Sequence, residues 1–289
     1  MTASTIAATG PGVTVIGRGR RRVPRAGVWA AAAFLLVVAV IAIAPGLVAH
    51  GSPDVTDALA ALRPPDGEHL LGTDANGRDI FTRIVYGARP SVLAGLAATA
   101  LAVTGGTLVG LPAALGGRVL DEVAMRVVDV LLSLPGLLLA LLVIAVVGPG
   151  TLNAVFAIAA YTLPGYARLV RAQTMVIRRS GYVEAAVSLG LTRTGIIVRH
   201  VLPNAFAPLL VLATIEVGTA LVAASSLSFL GLGPRPPAPE WGAMLAAGRD
   251  YFSVAWWVAV FPGLAITLTV LSVTVVGRHL QRRVEGRLS

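Results

Sequence analysis

The sequence predicts an all-α integral membrane protein with six transmembrane helices. Three observations predict it. Only 13% of the 289 residues are charged and 56% are hydrophobic, whereas a soluble domain carries about 25% charged residues. Several apolar runs reach the roughly 20 residues that a helix needs to cross a bilayer. All 23 basic residues are arginine and most flank those runs, which marks membrane topology rather than a nucleic-acid surface.

The elements follow in order. Residues 1–26 form a basic arm with Arg18, Arg20, Arg21, Arg22 and Arg25, a cluster suited to anionic lipid or to anchoring orientation. The first span covers 27–49. Its apolar run is too long for a signal-peptide core and no small-x-small cleavage site precedes His50, so it is expected to stay attached. Residues 50–89 form an acidic, Pro/Gly-rich external segment. A five-span core, 90–277, holds spans at 90–115, 122–147, 152–175, 205–229 and 255–276, and a basic tail fills 278–289.

Arginine placement orients these spans. With the N-terminus inside, the inner segments hold the arm's arginines, Arg118, Arg126, Arg168, Arg171, Arg178, Arg179, Arg193, Arg199, Arg278, Arg282, Arg283 and Arg287. The outer segments hold only Arg63, Arg78, Arg83, Arg89, Arg235 and Arg249. This bias predicts both termini in the cytoplasm. The outer loop after the fifth span adds a proline-rich stretch and a tryptophan cluster, Trp241, Trp256 and Trp257, expected at the membrane interface.

Enzymatic chemistry finds little support. Without cysteine there is no disulfide, thiol nucleophile or thiolate metal site. The four histidines, His50, His69, His200 and His279, are far apart. No GxxxxGK[ST] phosphate loop is present. No catalytic, cofactor-binding or metal-ligating residue is predicted.

The informative stretch is "SGYVEAAVSLGLTRTGIIVRHVLP", residues 180–203, which the topology puts in the cytoplasm. It is too polar to span. Val183, Ala186, Val187 and Leu189 give a short helix an apolar side, and Gly190 permits a positive-φ turn. Thr192 or Thr194 can cap a second helix, with Ile196, Ile197, Val198 and Val201, and Pro203 marks the start of the fifth span. The small Ala185 and Ala186 allow a partner surface to approach closely. Two short helices across a glycine form a rigid projection.

Here the residues carry a family resemblance. "EAAVSLG…VLP" resembles the EAA signature of permease subunits of ATP-binding-cassette importers. "HLLGTDANGRDIFTRIVYGARPSVLAG", "DEVAMRVVDVLLSLPGLLLALLVIAVVGPG" and "SLSFLGLGPRPPAPEWGAMLAAGRDY" resemble further blocks of the dipeptide/oligopeptide (also nickel) branch, the first typical of its C-type permease. The resemblance implies a multi-pass inner-membrane protein with the type I importer permease fold. It implies that Tyr182, Glu184, Ala185, Ala186, Leu189, Gly190, Leu202 and Pro203 couple to an ATPase. The implied partners are a second, non-identical permease, two ABC ATPase domains or subunits and an extracytoplasmic substrate-binding protein. ATP and Mg2+ would belong to the ATPases.

Other residues leave alternatives open. Glu216 sits about 18 Å into the fifth span, where an acid is costly and functional by default. It either lines the translocation path against a cationic group or is hydrogen-bonded between helices. Relatives place an acid later, at the position of Ala224, and end the sixth span differently from Thr274 and Arg278. Asp74, Arg78 and Asp79, with Arg83 and Arg89, either form a salt-bridged loop holding Gly72, Gly77 and Gly87 in turns or an outer gate or binding-protein contact. Arg126 and Asp129, three apart, suggest an interfacial pair. The cargo reads as peptide. Nickel or another metal chelate, glutathione or another small solute keeps the same architecture, and a stand-alone secondary transporter is the alternative from another class.

Overall fold

The computed structural model describes residues 25–288. Of the arm's arginine cluster, Arg18, Arg20, Arg21 and Arg22 lie outside them, and Arg25 opens the first helix. The described residues are helical and contain no strand. Helix α1 spans Arg25–Ile43, and single 3-10 turns follow at Pro45–Leu47 and Ala58–Ala60. Helix α2 spans Ile80–Leu115, α3 Arg118–Ser133, α4 Gly136–Val147 and α5 Thr151–Arg178. The short α6, Gly181–Ser188, and α7, Arg193–Ile196, lead through a wide turn at Ile197–Val201 into α8, Leu202–Phe229. Helix α9, Trp241–Arg249, and α10, Trp257–Leu288, complete the chain.

By length and composition, α1, α2, α8 and α10 are able to cross a membrane. The second span starts at Ile80 rather than residue 90, because Asp79 caps α2 by accepting a hydrogen bond from the Thr82 amide at 2.7 Å.

The third span, expected as one helix over 122–147, is not straight. Helices α3 and α4 meet at 96°. Leu134 precedes Pro135 and takes an extended ψ of 138°, as the pyrrolidine ring demands of its neighbour. The 12 residues of α4 reach only about 18 Å. Charged Arg118, Asp121, Glu122, Arg126 and Asp129 line α3.

Helix α5, with 28 residues, reaches about 42 Å, yet Asn153, Arg168, Arg171 and Gln173 interrupt its apolar character. It packs in the interior along α2. A Cβ at Gly106 would sit 2.5 Å from the Tyr166 Cβ, and one at Gly110 would overlap the Ala167 carbonyl. This Gly-x-x-x-Gly face lets the two backbones touch. Around the crossing, Ala94, Ala98, Ala140, Ala157, Ala220 and Ala224 form a core of small residues joining α2, α4, α5 and α8.

One end of the bundle carries the basic tail and α6–α7. The opposite end is closed by a cap built from residues 44–79, 230–240 and α9. Within this cap the salt-bridged loop is present, and its central pair is buried. Asp74 and Arg83 are only 8% and 4% exposed. Asp74 accepts from Arg78 Nε at 2.7 Å and from the Asn76 and Arg78 amides at 2.8 and 3.1 Å. Arg83 donates to the Pro53 and Pro237 carbonyls at 3.0 Å each, tying both outer segments to α2. His69 Nδ1 lies 3.1 Å from Asp79 Oδ1. Gly72 and Gly77 take positive φ, whereas Gly87 lies inside α2 against Pro239.

The tryptophan cluster is likewise not an interfacial belt. Trp241 is 1% exposed and its indole donates to the Ile84 carbonyl at 2.9 Å. Trp257 donates to the Thr73 carbonyl at 3.2 Å, and only Trp256 reaches the surface.

Candidate coupling segment and interior acid

Helix α5 ends at Arg178, and the Ser180 hydroxyl donates back to the Ile177 carbonyl at 2.6 Å. Helix α6 then runs eight residues. It stops through a paired turn. Gly190 has φ +75°, its amide bonds the Val187 carbonyl at 3.0 Å, and the Leu191 amide bonds the Ala186 carbonyl at 3.2 Å. A left-handed glycine with those two hydrogen bonds is the Schellman termination. Of the two threonines, Thr192 is the cap of α7, its hydroxyl accepting from the Gly195 amide at 3.2 Å.

The segment has its own core. Ile177, Val183, Ala186, Ile196, Val201 and Ala205 are all buried against one another, with Leu191 at the edge. These residues come from the end of α5, from α6 and α7, and from the start of α8. The knob is therefore bonded mechanically to α5 and α8.

Its outer face carries Tyr182, Glu184, Ala185, Val187 and Leu189, all exposed. Leu189 is 80% exposed and Val187 58%. Glu184 makes no ion pair among the described residues and sits in the first turn of α6, where a carboxylate suits the helix dipole.

The predicted coupling residues thus divide. Tyr182, Glu184, Ala185 and Leu189 share the exposed face. Ala186 does not join them; at 6% exposure it supports α6 from behind, so the close approach expected of both alanines belongs to Ala185 alone. Gly190 builds the turn. Leu202 and Pro203 open α8, beyond the wide turn. Val187 and Leu189, expected with Val183 and Ala186 on one apolar side of α6, are instead exposed.

Helix α3 anchors to α5 near the same end. Asp121 takes both Nε and Nη2 of Arg171, the latter at 2.6 Å, and Asp129 pairs with Arg168 at 2.5 Å. Asp129 is therefore bound across helices and not to Arg126. Sequence spacing within one helix could not show a partner on another.

Glu216 lies in the middle of α8 and is half-buried. Its carboxyl makes no hydrogen bond or ion pair among the described residues, so the interhelical hydrogen bond is not formed there. It stands within electrostatic reach of Tyr161 and Tyr166 of α5. Ala224 is 6% exposed in the small-residue core, where a carboxylate would have neither room nor partner.

Glu240, not singled out by sequence, is 4% exposed. It caps α9 by accepting from the Gly242 and Ala243 amides at 2.9 Å each, and Ser91 of α2 donates to it at 3.3 Å. No group of three or more His, Cys, Asp or Glu side chains among the described residues could hold a metal ion.

Comparisons with known proteins agree with this architecture. Residues 106–288 match the model of the family described as binding-protein-dependent transport system inner membrane component. A dipeptide transport system permease of Alkalihalophilus pseudofirmus is 41% identical over 248 residues, covering 86% of this chain and 82% of that protein. A glutathione transport system permease of Pectobacterium atrosepticum is 40% identical over 254 residues, covering 88% and 84%. Among solved structures, the MetNI methionine ABC transporter in an inward-facing conformation matches with TM-score 0.52 at 23% identity, over 71% of this chain and 97% of that one; at that identity the likeness is one of fold. The helical bundle, the projecting segment after α5 and these matches together show that the chain belongs to the family of inner-membrane permease components of binding-protein-dependent ABC transport systems.

Proposed function

We propose that this chain is the C-type permease subunit of an ATP-driven peptide importer. It forms half of the translocation path with a second, non-identical permease. Two ABC ATPase domains or subunits bind its cytoplasmic end, and a substrate-binding protein docks on the outer cap near Asp74, Arg78 and Asp79. The chain itself contributes no catalytic residue and no cofactor; ATP and Mg2+ reside in the ATPases.

The observation that carries this reading is the knob itself. Its exposed face carries apolar Tyr182, Val187 and Leu189 together with Glu184, which makes no ion pair among the described residues, on a helix packed on its own core. Exposed apolar side chains with a charge beside them on a projecting helix suit a protein groove better than water. Because that core is shared only with the ends of α5 and α8, closure of an ATPase dimer on the knob moves those two helices first. They carry Tyr161, Tyr166 and Glu216, so the push reaches the interior acid directly. Glu216 offers a negative charge to the amino group of a peptide.

Reconstitution with the partner subunits tests this. Glu184→Lys is expected to abolish ATP-dependent peptide uptake and to weaken ATPase co-purification. Unchanged uptake and co-purification would overturn it, as would transport by this chain reconstituted without any ATPase. Glutathione is a second cargo reading, favoured by the similarity to the Pectobacterium permease.

A further inference from the structure

Where α1 begins and α10 finishes, the two helices enclose a groove that the coupling mechanism does not use. It measures about 420 Å3 and is lined by Val28, Trp29 and Ala32 of α1 and by Val276, His279 and Arg283 of α10. Its walls divide by chemistry. Val28, Ala32 and Val276 give it an apolar floor. His279 and Arg283, four apart on one helix, stand on the same face at its mouth. Neither forms an ion pair among the described residues.

Depth follows from helix length. The 32 residues of α10 extend about 48 Å, well beyond a hydrocarbon core of about 30 Å. Its apolar stretch closes at Val276–Gly277, and Arg278, Arg282 and Arg283 follow, so the groove's mouth lies at headgroup level. Trp29, 74% exposed, has the amphipathic ring that favours that layer. From it a stripe of exposed side chains descends α1: Leu36 at 66%, Val40 at 41% and Ile43 at 80%. At about 100° per residue these fall within about 60° of one another.

We propose that this groove is a binding site for an anionic phospholipid. The headgroup phosphate sits between His279 and Arg283, and an acyl chain follows the floor past Ala32 onto the Leu36–Val40 stripe. Free phosphate would use His279 and Arg283 and leave the apolar floor idle. A zwitterionic lipid would bring a quaternary ammonium into a mouth whose described lining holds no carboxylate.

Native mass spectrometry of the assembled transporter tests the site, with phosphatidylglycerol and phosphatidylcholine supplied in equal amounts. The wild type is expected to retain phosphatidylglycerol about tenfold better, the scale set by one to two cationic side chains at an anionic surface. His279→Ala with Arg283→Ala should erase the preference, and His279→Arg with Arg283→Lys should keep it. Should the double alanine variant fail to assemble, Arg283→Gln alone carries the test, with a reduced preference expected. Equal retention of both lipids by the wild type, an undiminished preference in the neutral variants, or displacement of phosphatidylglycerol by inorganic phosphate overturns the proposal.

Discussion

Val183 of α6 and Leu189 at its C-terminal cap, six positions apart, should fail in opposite ways. Val183 is 5% exposed inside the knob, and Leu189 is 80% exposed on its outer face. Val183→Ala removes two methyl groups at about 0.8 kcal/mol each, and the partly collapsed cavity raises the loss to about 2 kcal/mol. Because this core is small and local, the loss appears as local opening. Amides of α6 should then exchange about thirtyfold faster, since 1.4 kcal/mol is a factor of ten. Leu189→Ala removes almost nothing from the free chain. If an ATPase groove buries that side chain, the variant loses about 2 kcal/mol of binding, or about thirtyfold in Kd. Hydrogen exchange of the free permease and titration of it with the ATPase read the two effects separately. A Leu189→Ala variant that binds the ATPase normally would refute the assignment of the outer face. A Val183→Ala variant with unchanged exchange would refute the separate core.

Two further substitutions probe the rest of the molecule. Glu240→Ala removes the α9 cap and leaves the buried Gly242 amide without its acceptor, costing about 2–4 kcal/mol; thermal unfolding in detergent should fall by roughly 3–7 °C, with Glu240→Gln in between. Glu216→Gln should leave assembly and ATPase binding intact and lower uptake of peptides with a free amino terminus relative to N-acetylated ones, as measured by competition for transport.

What the sequence made legible was whatever depends on near neighbours. The start of α1 and the end of α8 follow from apolar runs, and Phe229 closes α8 where the pattern stops; α1, however, ends at Ile43, just before Pro45, and not at the expected residue 49. Gly190 and Thr192 announce the turn because their roles rest on the adjacent few residues. The break at Pro135 was visible as a proline, and the five charges before it were visible too. A long apolar average over 122–147 concealed both. Burial was the least legible quantity. Ala185 and Ala186 are chemically identical neighbours, and only the surrounding core decides that one faces out and the other in. Glu240 meets Ser91 across 149 positions, and Asp121 meets Arg171 across 50. No local pattern encodes such partners.

The two ends of the bundle are built for different mechanical duties. At the capped end, buried polar groups lock elements together: Arg83 holds both outer segments, and Ser91, Glu240 and Trp241 join α2 to α9. Removing one partner of such a buried network exposes unpaired polar groups to an apolar interior, so it resists partial opening. At the basic end, the knob is packed on the ends of α5 and α8 by a small apolar core and tied to α5 by the Ser180 hydroxyl bond to the Ile177 carbonyl. A force on α6 therefore passes into α5 and α8, whose other ends meet the stiffer cap. Helices α5 and α8 then pivot about the cap instead of translating through it, and the largest displacement occurs near the knob. Glu216, halfway along α8, moves by about half of that displacement. In the proposed importer, such a lever would open the basic side more readily than the capped side.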